Sequence, residues 1–243
     1  MRRFNKGVLV TCVSAGLLVG SPAMAGPAQA SALGDTIARQ ANGQFDSHNK
    51  EVQKRLLEGG KKHTNNCNFY SGFWKKGAPK GLDGAKCGTT KGYRYEGGVK
   101  KWTPIAWGSQ AWCADFVKFT WYWGQADVAG INSLAGSFKS YGQRHHTWHP
   151  RGSYTPKPGD AVTYDRDHNG TIDHVGVVVK YNKSSRTYSS VEGNVRVKYG
   201  KGKGKGKGKG KYGEGLLRKT GQSAAGTDVV GFTTPAAKQH KPV

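Results

Sequence analysis

The chain has 243 residues, with 38 Lys+Arg against 15 Asp+Glu, a formal net charge of +23 and 37 glycines. An aromatic share of 11% excludes a wholly disordered chain, and the glycines follow no collagen-like period. The length suits one domain of about 200 residues or two small ones, and the charge points to an acidic partner: wall polymer, nucleic acid or an anionic membrane surface.

Met1 to Gly7 carries Arg2, Arg3 and Lys6 and no acid, Val8 to Gly20 is apolar, and Ala23-Met24-Ala25 and Ala28-Gln29-Ala30 both fit a small-x-small cleavage site. This pattern predicts a secretory signal peptide over residues 1–30, cleaved after Ala25 or Ala30. The apolar run falls short of the roughly 18–20 residues a membrane span needs. No second run of that length follows, so the expectation is a secreted protein, extracellular or wall-associated, without a membrane span.

Export changes how the cysteines read. Cys12 leaves with the signal, and Cys67, Cys87 and Cys113 remain. Outside the cytosol two thiols usually pair and a leftover one is a candidate reactive group. Cys67 and Cys87 lie in Gly- and Lys-rich sequence with little hydrophobic support, so the predicted disulfide is Cys67–Cys87, with Cys113 free.

Along the body, Ile37, Ala41 and Phe45, then Val52 and Leu56, recur every four residues and predict helix over 35–57, ended at Gly59-Gly60. Residues 60–101 read as loop. Ser109 is the predicted N-cap of a helix reaching Trp123, with Trp112, Phe116, Phe119 and Trp123 as its apolar stripe and Cys113 in its first turn. A turn cluster, Pro156 to Asp160, precedes predicted strands at 161–164, 174–181, 187–191 and 229–233. Helix first and strands after is an α+β order. Gly200 to Lys211 alternates Lys and Gly, an insertion resembling an overgrown hairpin loop. Residues 236–243 read as a polar tail.

A thiol at a helix N-terminus has its thiolate favoured by the helix dipole and by free backbone N–H groups. Cys113 is therefore the candidate nucleophile. His174 opens the HVGVVV strand and is the candidate base, able to take the thiol proton and return it to a leaving amine. A third group must hold the imidazole in one tautomer. Glu192 and Asn194, at the end of the next strand, both qualify.

Four motifs in order, Trp112-Cys113-Ala114-Asp115-Phe116-Val117, Pro158-Gly159-Asp160-Ala161-Val162, Asp173-His174-Val175-Gly176-Val177-Val178 and Glu192-Gly193-Asn194, resemble those of the CHAP domain. This is the cysteine- and histidine-dependent amidohydrolase/peptidase domain of bacterial wall-active proteins, and the resemblance covers roughly residues 105–235. It implies a papain-like α+β fold related to the NlpC/P60 peptidases, with the catalytic cysteine at a helix N-terminus packed on an antiparallel sheet. It also implies cleavage of amide bonds in peptidoglycan by Cys113 as nucleophile and His174 as base, with Glu192 or Asn194 orienting the imidazole. Residues 31–235 then form one catalytic domain, with 31–104 as an N-terminal extension and 200–211 as an insertion foreign to the family pattern.

Asp165, Asp167, Asn169, Thr171 and Asp173 follow D-x-D-x-N-G-x-x-D, with Gly170 at the sharp turn, and match the first nine positions of a calcium loop. Position 12 is Gly176, so the closing acid is absent. Calcium is the candidate ion, and no organic cofactor is required. His145, His146 and His149 sit among Gly and Pro, which favours a basic aromatic loop over a zinc-binding helix. The lysines from Lys201 to Lys211 suit teichoic acid or another polyanion, and without interleaved aromatics they do not suit specific nucleic-acid recognition. The expected protein is a monomeric secreted peptidoglycan hydrolase, an N-acetylmuramoyl-L-alanine amidase or a peptide-stem endopeptidase. The alternative is a non-catalytic wall- or polyanion-binding protein on the same fold.

Overall fold

The computed structural model describes residues 27–57, 66–75, 87–199 and 211–238. Residues 1–26, Gly59-Gly60, the Lys/Gly stretch 200–210 and residues 239–243 lie outside the described residues, and with them most of the signal peptide and the insertion.

Alternation of apolar side chains builds the central sheet. β6 (Ala161–Tyr164), β7 (His174–Asn182), β8 (Thr187–Tyr199), β9 (Lys211–Ser223) and β10 (Val229–Thr233) join β5 (Trp148–Pro150) in one sheet of order β5-β10-β6-β7-β8-β9. Every pair in it is antiparallel. Ala161, Val175, Val177 and Val191 belong to the larger core, and their strand neighbours Val162, Tyr164 and Val178 belong to a second cluster with Tyr188 and Phe232. Both faces of the sheet are thus covered, as period-two alternation with apolar residues at both parities requires.

Helix α1 spans Pro27–Phe45, α2 Lys50–Gln53, α3 Phe69–Trp74, α4 Cys113–Trp123 and α5 Ser137–Arg144. α4 packs on β7 and β8, and α1 packs on α4 and β7. Trp112, Phe116 and Phe119 are buried, as the predicted stripe requires, and Tyr70 of α3 stacks on Trp112 at 5.5 Å. Gly193 of β8 allows this close seat, since a Cβ there would meet the Trp112 ring at 2.6 Å.

Several expectations are corrected. Ser109 lies in the short strand β4 (Gly108–Ser109), paired with β1 (Cys67–Asn68), and Trp112 is the N-cap residue without a side-chain cap. The segment read as loop holds α3 and a hairpin of β2 (Thr89–Glu96) and β3 (Val99–Ala106). Its glycines and lysines hid the strand pattern, and the stabilising partners are distant: Gly92 abuts Phe69, and Arg94 donates to the Gly72 and Phe73 carbonyls. The strand expected at 187–191 continues to Tyr199, paired with β9, which sequence periodicity missed. The expected tail starts as structure: Ala237 bridges Ala126, and Lys238 N–H donates to the Gln125 carbonyl.

Candidate active site

Cys113 is the first residue of α4, where backbone N–H groups have no intrahelical acceptor. Among the described residues it is the free cysteine, 5% exposed, and Cys67 and Cys87 are joined as a disulfide, as expected. Burial pushes the thiol up to about 11, against the pull of the Val175 and Ala114 backbone amides and the Arg166 charge. Cys113 therefore rests as a neutral thiol against the first residues of β7.

His174 opens β7 opposite Tyr164 and is 4% exposed. Its Nε2 lies 3.0 Å from Glu192 Oε2. Glu192, fully buried on β8, is the hub of the site. Oε2 also accepts from Arg166 at 2.9 Å and pairs with Lys219 at 2.8 Å, while Oε1 accepts from Tyr164 at 3.0 Å and Ser190 at 2.8 Å. Gly176 makes room for it, since a Cβ there would meet Glu192 Cγ at 2.5 Å. Burial pushes the Glu192 carboxyl up, but the His174 hydrogen bond and Lys219 outweigh it and hold the group well below the usual carboxylate range. Burial lowers His174, Glu192 raises it, and Arg166 and Lys219 lower it again, leaving the imidazole below its ordinary value.

The structure thus brings His174 and Glu192 into contact and sets Cys113 against the neighbouring Val175 amide. Asn194 does not join them. It occupies the left-handed region (φ 58°) where the β8–β9 register shifts, and its buried Oδ1 has no hydrogen-bond partner. Arg166, Lys219, Tyr164 and Ser190 escaped the sequence reading. Each looks like an ordinary surface or strand residue, and the only signal available was parity: Ser190 and Glu192 share one face of β8.

Asp115, two residues after Cys113, anchors the start of α4. Its Oδ2 accepts from Ser71 and Gln110, both at 2.6 Å, and its Oδ1 from Ser133 at 2.9 Å. This network ties the N-terminal extension to the helix that carries the thiol.

Carboxylate oxygens of Asp165, Asp167 and Asp173 lie within 4.8 Å of one another. Asn169 and Gly170 N–H donate to Asp165, Thr171 N–H donates to Asn169 Oδ1, and Gly170 takes φ +86° at the turn. Position 12, Gly176, faces Glu192 and supplies no ligand. The three histidines do not converge: His145 stacks on Tyr141 at 4.2 Å and His149 on Tyr154 at 3.8 Å.

The CHAP domain family model matches residues 105–194. This segment is a CHAP domain. The match holds Cys113, His174, Glu192 and Asn194 and leaves α1, the disulfide, β9 and β10 outside. CHAP domains have a papain-like fold and are in general cysteine- and histidine-dependent amidohydrolases acting on peptidoglycan. No curated protein and no solved structure matches the chain. Among the described residues no helix is long and apolar enough to cross a membrane.

Proposed function

We propose that the protein is a secreted peptidoglycan hydrolase that cleaves amide bonds through the Cys113 thiolate, as a muramoyl-alanine amidase or a stem-peptide endopeptidase. The observation that carries this reading is the buried His174–Glu192 pair at the strand end against which Cys113 sits. With Glu192 ionised, Nε2 bears the proton and Nδ1 keeps its lone pair. Nδ1 takes the Cys113 proton as sulfur attacks the amide carbon, and the Cys113 backbone N–H meets the developing oxyanion. His174 then gives that proton to the leaving nitrogen as the C–N bond breaks. Water, deprotonated by His174, cleaves the thioester, and the proton returns to sulfur. A thiol that rests neutral makes proton transfer to the imidazole part of the attack.

Asp165, Asp167, Asn169, Thr171 and Asp173 would hold calcium, with solvent in place of the missing acid, and the bound ion would stiffen the loop ahead of His174. Arg196 and Lys198 of β8, together with the lysines of Lys201–Lys211, would retain the enzyme on teichoic acid or other polyanions. The deciding experiment is mass spectrometry of fragments released from purified walls, with Cys113→Ala as control. New amine and carboxyl ends at one bond, absent with the variant, are expected. Equal release by the variant overturns the thiol mechanism, and wall binding without release supports the non-catalytic alternative.

A further inference from the structure

The far end of α4 carries a second feature that the hydrolytic reading does not use. Tyr93 and Tyr95 of β2 and Trp102 of β3 are 48%, 50% and 37% exposed, high values for large aromatics on a paired hairpin. They are already ordered. Tyr93 and Trp102 are cross-strand partners with ring centroids 4.8 Å apart, and Tyr95 stacks on Trp123, the last residue of α4, at 5.9 Å. Between these rings and the end of α1 lies a hollow of about 450 Å³, and a second, of about 340 Å³, adjoins it across Tyr95 and Gln125.

Among the described residues the first hollow has amide side chains on its wall, Gln40, Gln44, Asn49 and Gln125, two cations, Arg55 and Lys100, and no carboxylate. Arg55 is largely committed: its two terminal nitrogens donate to Gln44 and to the Lys91 carbonyl and its plane covers the Phe69 ring, while its buried Nε has no partner. Lys100 remains for a ligand, held over the Tyr93 ring at 4.4 Å and the Trp123 ring at 5.0 Å. Aromatic faces suit the C–H face of a pyranose, amides suit acetamido and hydroxyl groups, and a single available cation suits a sparse carboxylate. A nucleic-acid strand would also stack on such rings, but it brings one phosphate per base and calls for a line of cations.

We propose that this hollow is a glycan subsite that takes an N-acetylated segment of the wall polysaccharide whose lactyl carboxylate carries no stem peptide. This rests on the proposed peptidoglycan substrate. Trp123 and Cys113 end the same helix, about 15 Å apart at 1.5 Å per residue, a separation shorter than an extended glycan strand. Rings ordered before binding limit the entropy lost on association.

The test uses the full chain and a peptide-free tetrasaccharide of alternating N-acetylglucosamine and N-acetylmuramic acid, followed by tryptophan fluorescence and calorimetry. Saturable binding is expected, weakened at least tenfold in Trp102→Ala and in Tyr95→Ala. Lys100→Gln should weaken this probe more than a neutral N-acetylglucosamine tetramer. Both aromatic substitutions are at exposed positions, and unchanged circular dichroism confirms the fold. Wild-type affinity in both aromatic variants overturns the subsite, as does displacement of the sugar by a thymidine oligomer at lower concentration. The probe has no stem peptide, so its binding is independent of Cys113. Sugar binding without wall cleavage therefore supports the subsite while refuting the hydrolase, and wall cleavage without sugar binding does the reverse.

Discussion

His174 Nε2 and Glu192 Oε2 are 3.0 Å apart, both buried, with Arg166 and Lys219 drawn to the same carboxylate oxygen. One acid therefore orients the base and neutralises two cations. Glu192→Gln should lower kcat by about 10²–10⁴-fold, because the amide no longer enforces one imidazole tautomer. It should also destabilise the protein by about 1–3 kcal/mol, since Arg166 and Lys219 lose their counter-charge but are exposed enough to be hydrated. Asn194→Ala should leave the His174 tautomer intact and reduce kcat far less. Wall-hydrolysis rates and urea unfolding of the two variants check this, and equal kinetic losses would return Asn194 to the orienting role.

Two shifts at the site, those of His174 and Cys113, bear on the pH profile, and both widen the active range. His174 works as a base when neutral, and burial, Arg166 and Lys219 favour that form. The acid limb of kcat/KM should therefore lie below the ordinary imidazole value of about 6.5. Cys113, raised to about 11, stays protonated through neutral pH, so the profile should be flat from pH 7 to 9. Arg166→Met removes a charge that lowers His174 and should move the acid limb upward. A limb that does not move would show that the guanidinium does not act on the imidazole.

The parts of this site legible in the sequence are those whose signal is local. Cys113 shows itself through the aromatic stripe of its helix and His174 through the valine run behind it. The Cys67–Cys87 pairing follows from Cys113 lying in so different a context. Glu192 and Asn194 stayed equivalent because residues two apart share a face of a regular strand, and what separates them is the register shift after Glu192, with Asn194 in the left-handed region. The hairpin β2–β3 was hidden for another reason. Its support comes from Phe69 and Phe73, far away in sequence, while its own residues alternate too weakly to announce a strand. β9 begins in a Lys/Gly repeat, which supplies no apolar alternation, and its pairing with β8 is set by the antiparallel ladder.

The acidic loop and the site share a residue. Arg166 N–H donates to Asp173 Oδ2 while its guanidinium holds Glu192. Calcium bound by the loop should therefore stiffen the segment that places both Arg166 and His174. Millimolar calcium is expected to raise the melting temperature and the hydrolysis rate, and chelation should reverse both. Asp165→Asn with Asp167→Asn should abolish the response while leaving the calcium-free rate unchanged. Equal melting curves with and without calcium would refute the loop as a metal site.

Asp160 gives a stability prediction independent of catalysis. It follows Gly159, which abuts Gly34 of α1 at the turn into β6, and its side chain is fully buried. Oδ2 accepts from the Lys157 N–H at 2.8 Å, while Oδ1 has no partner. Burial raises the carboxyl to about 7, only partly offset by that N–H, by the nearby Tyr154 and Thr234 hydroxyls and by the Lys157 charge. The folded state therefore keeps a proton that the unfolded chain releases near pH 4. Where the native state binds more protons, stability falls as pH rises. The Asp160 contribution is complete below about pH 4 and is lost as pH climbs to about 7, at about 1.4 kcal/mol per pH unit. Asp160→Asn keeps an acceptor for Lys157 and removes the charge. Its unfolding free energy should be flatter between pH 4 and 7, and above pH 7 the variant should exceed the parent by a few kcal/mol. Parallel curves for the two proteins across that range would show that Asp160 is ionised in the native state at a normal pKa.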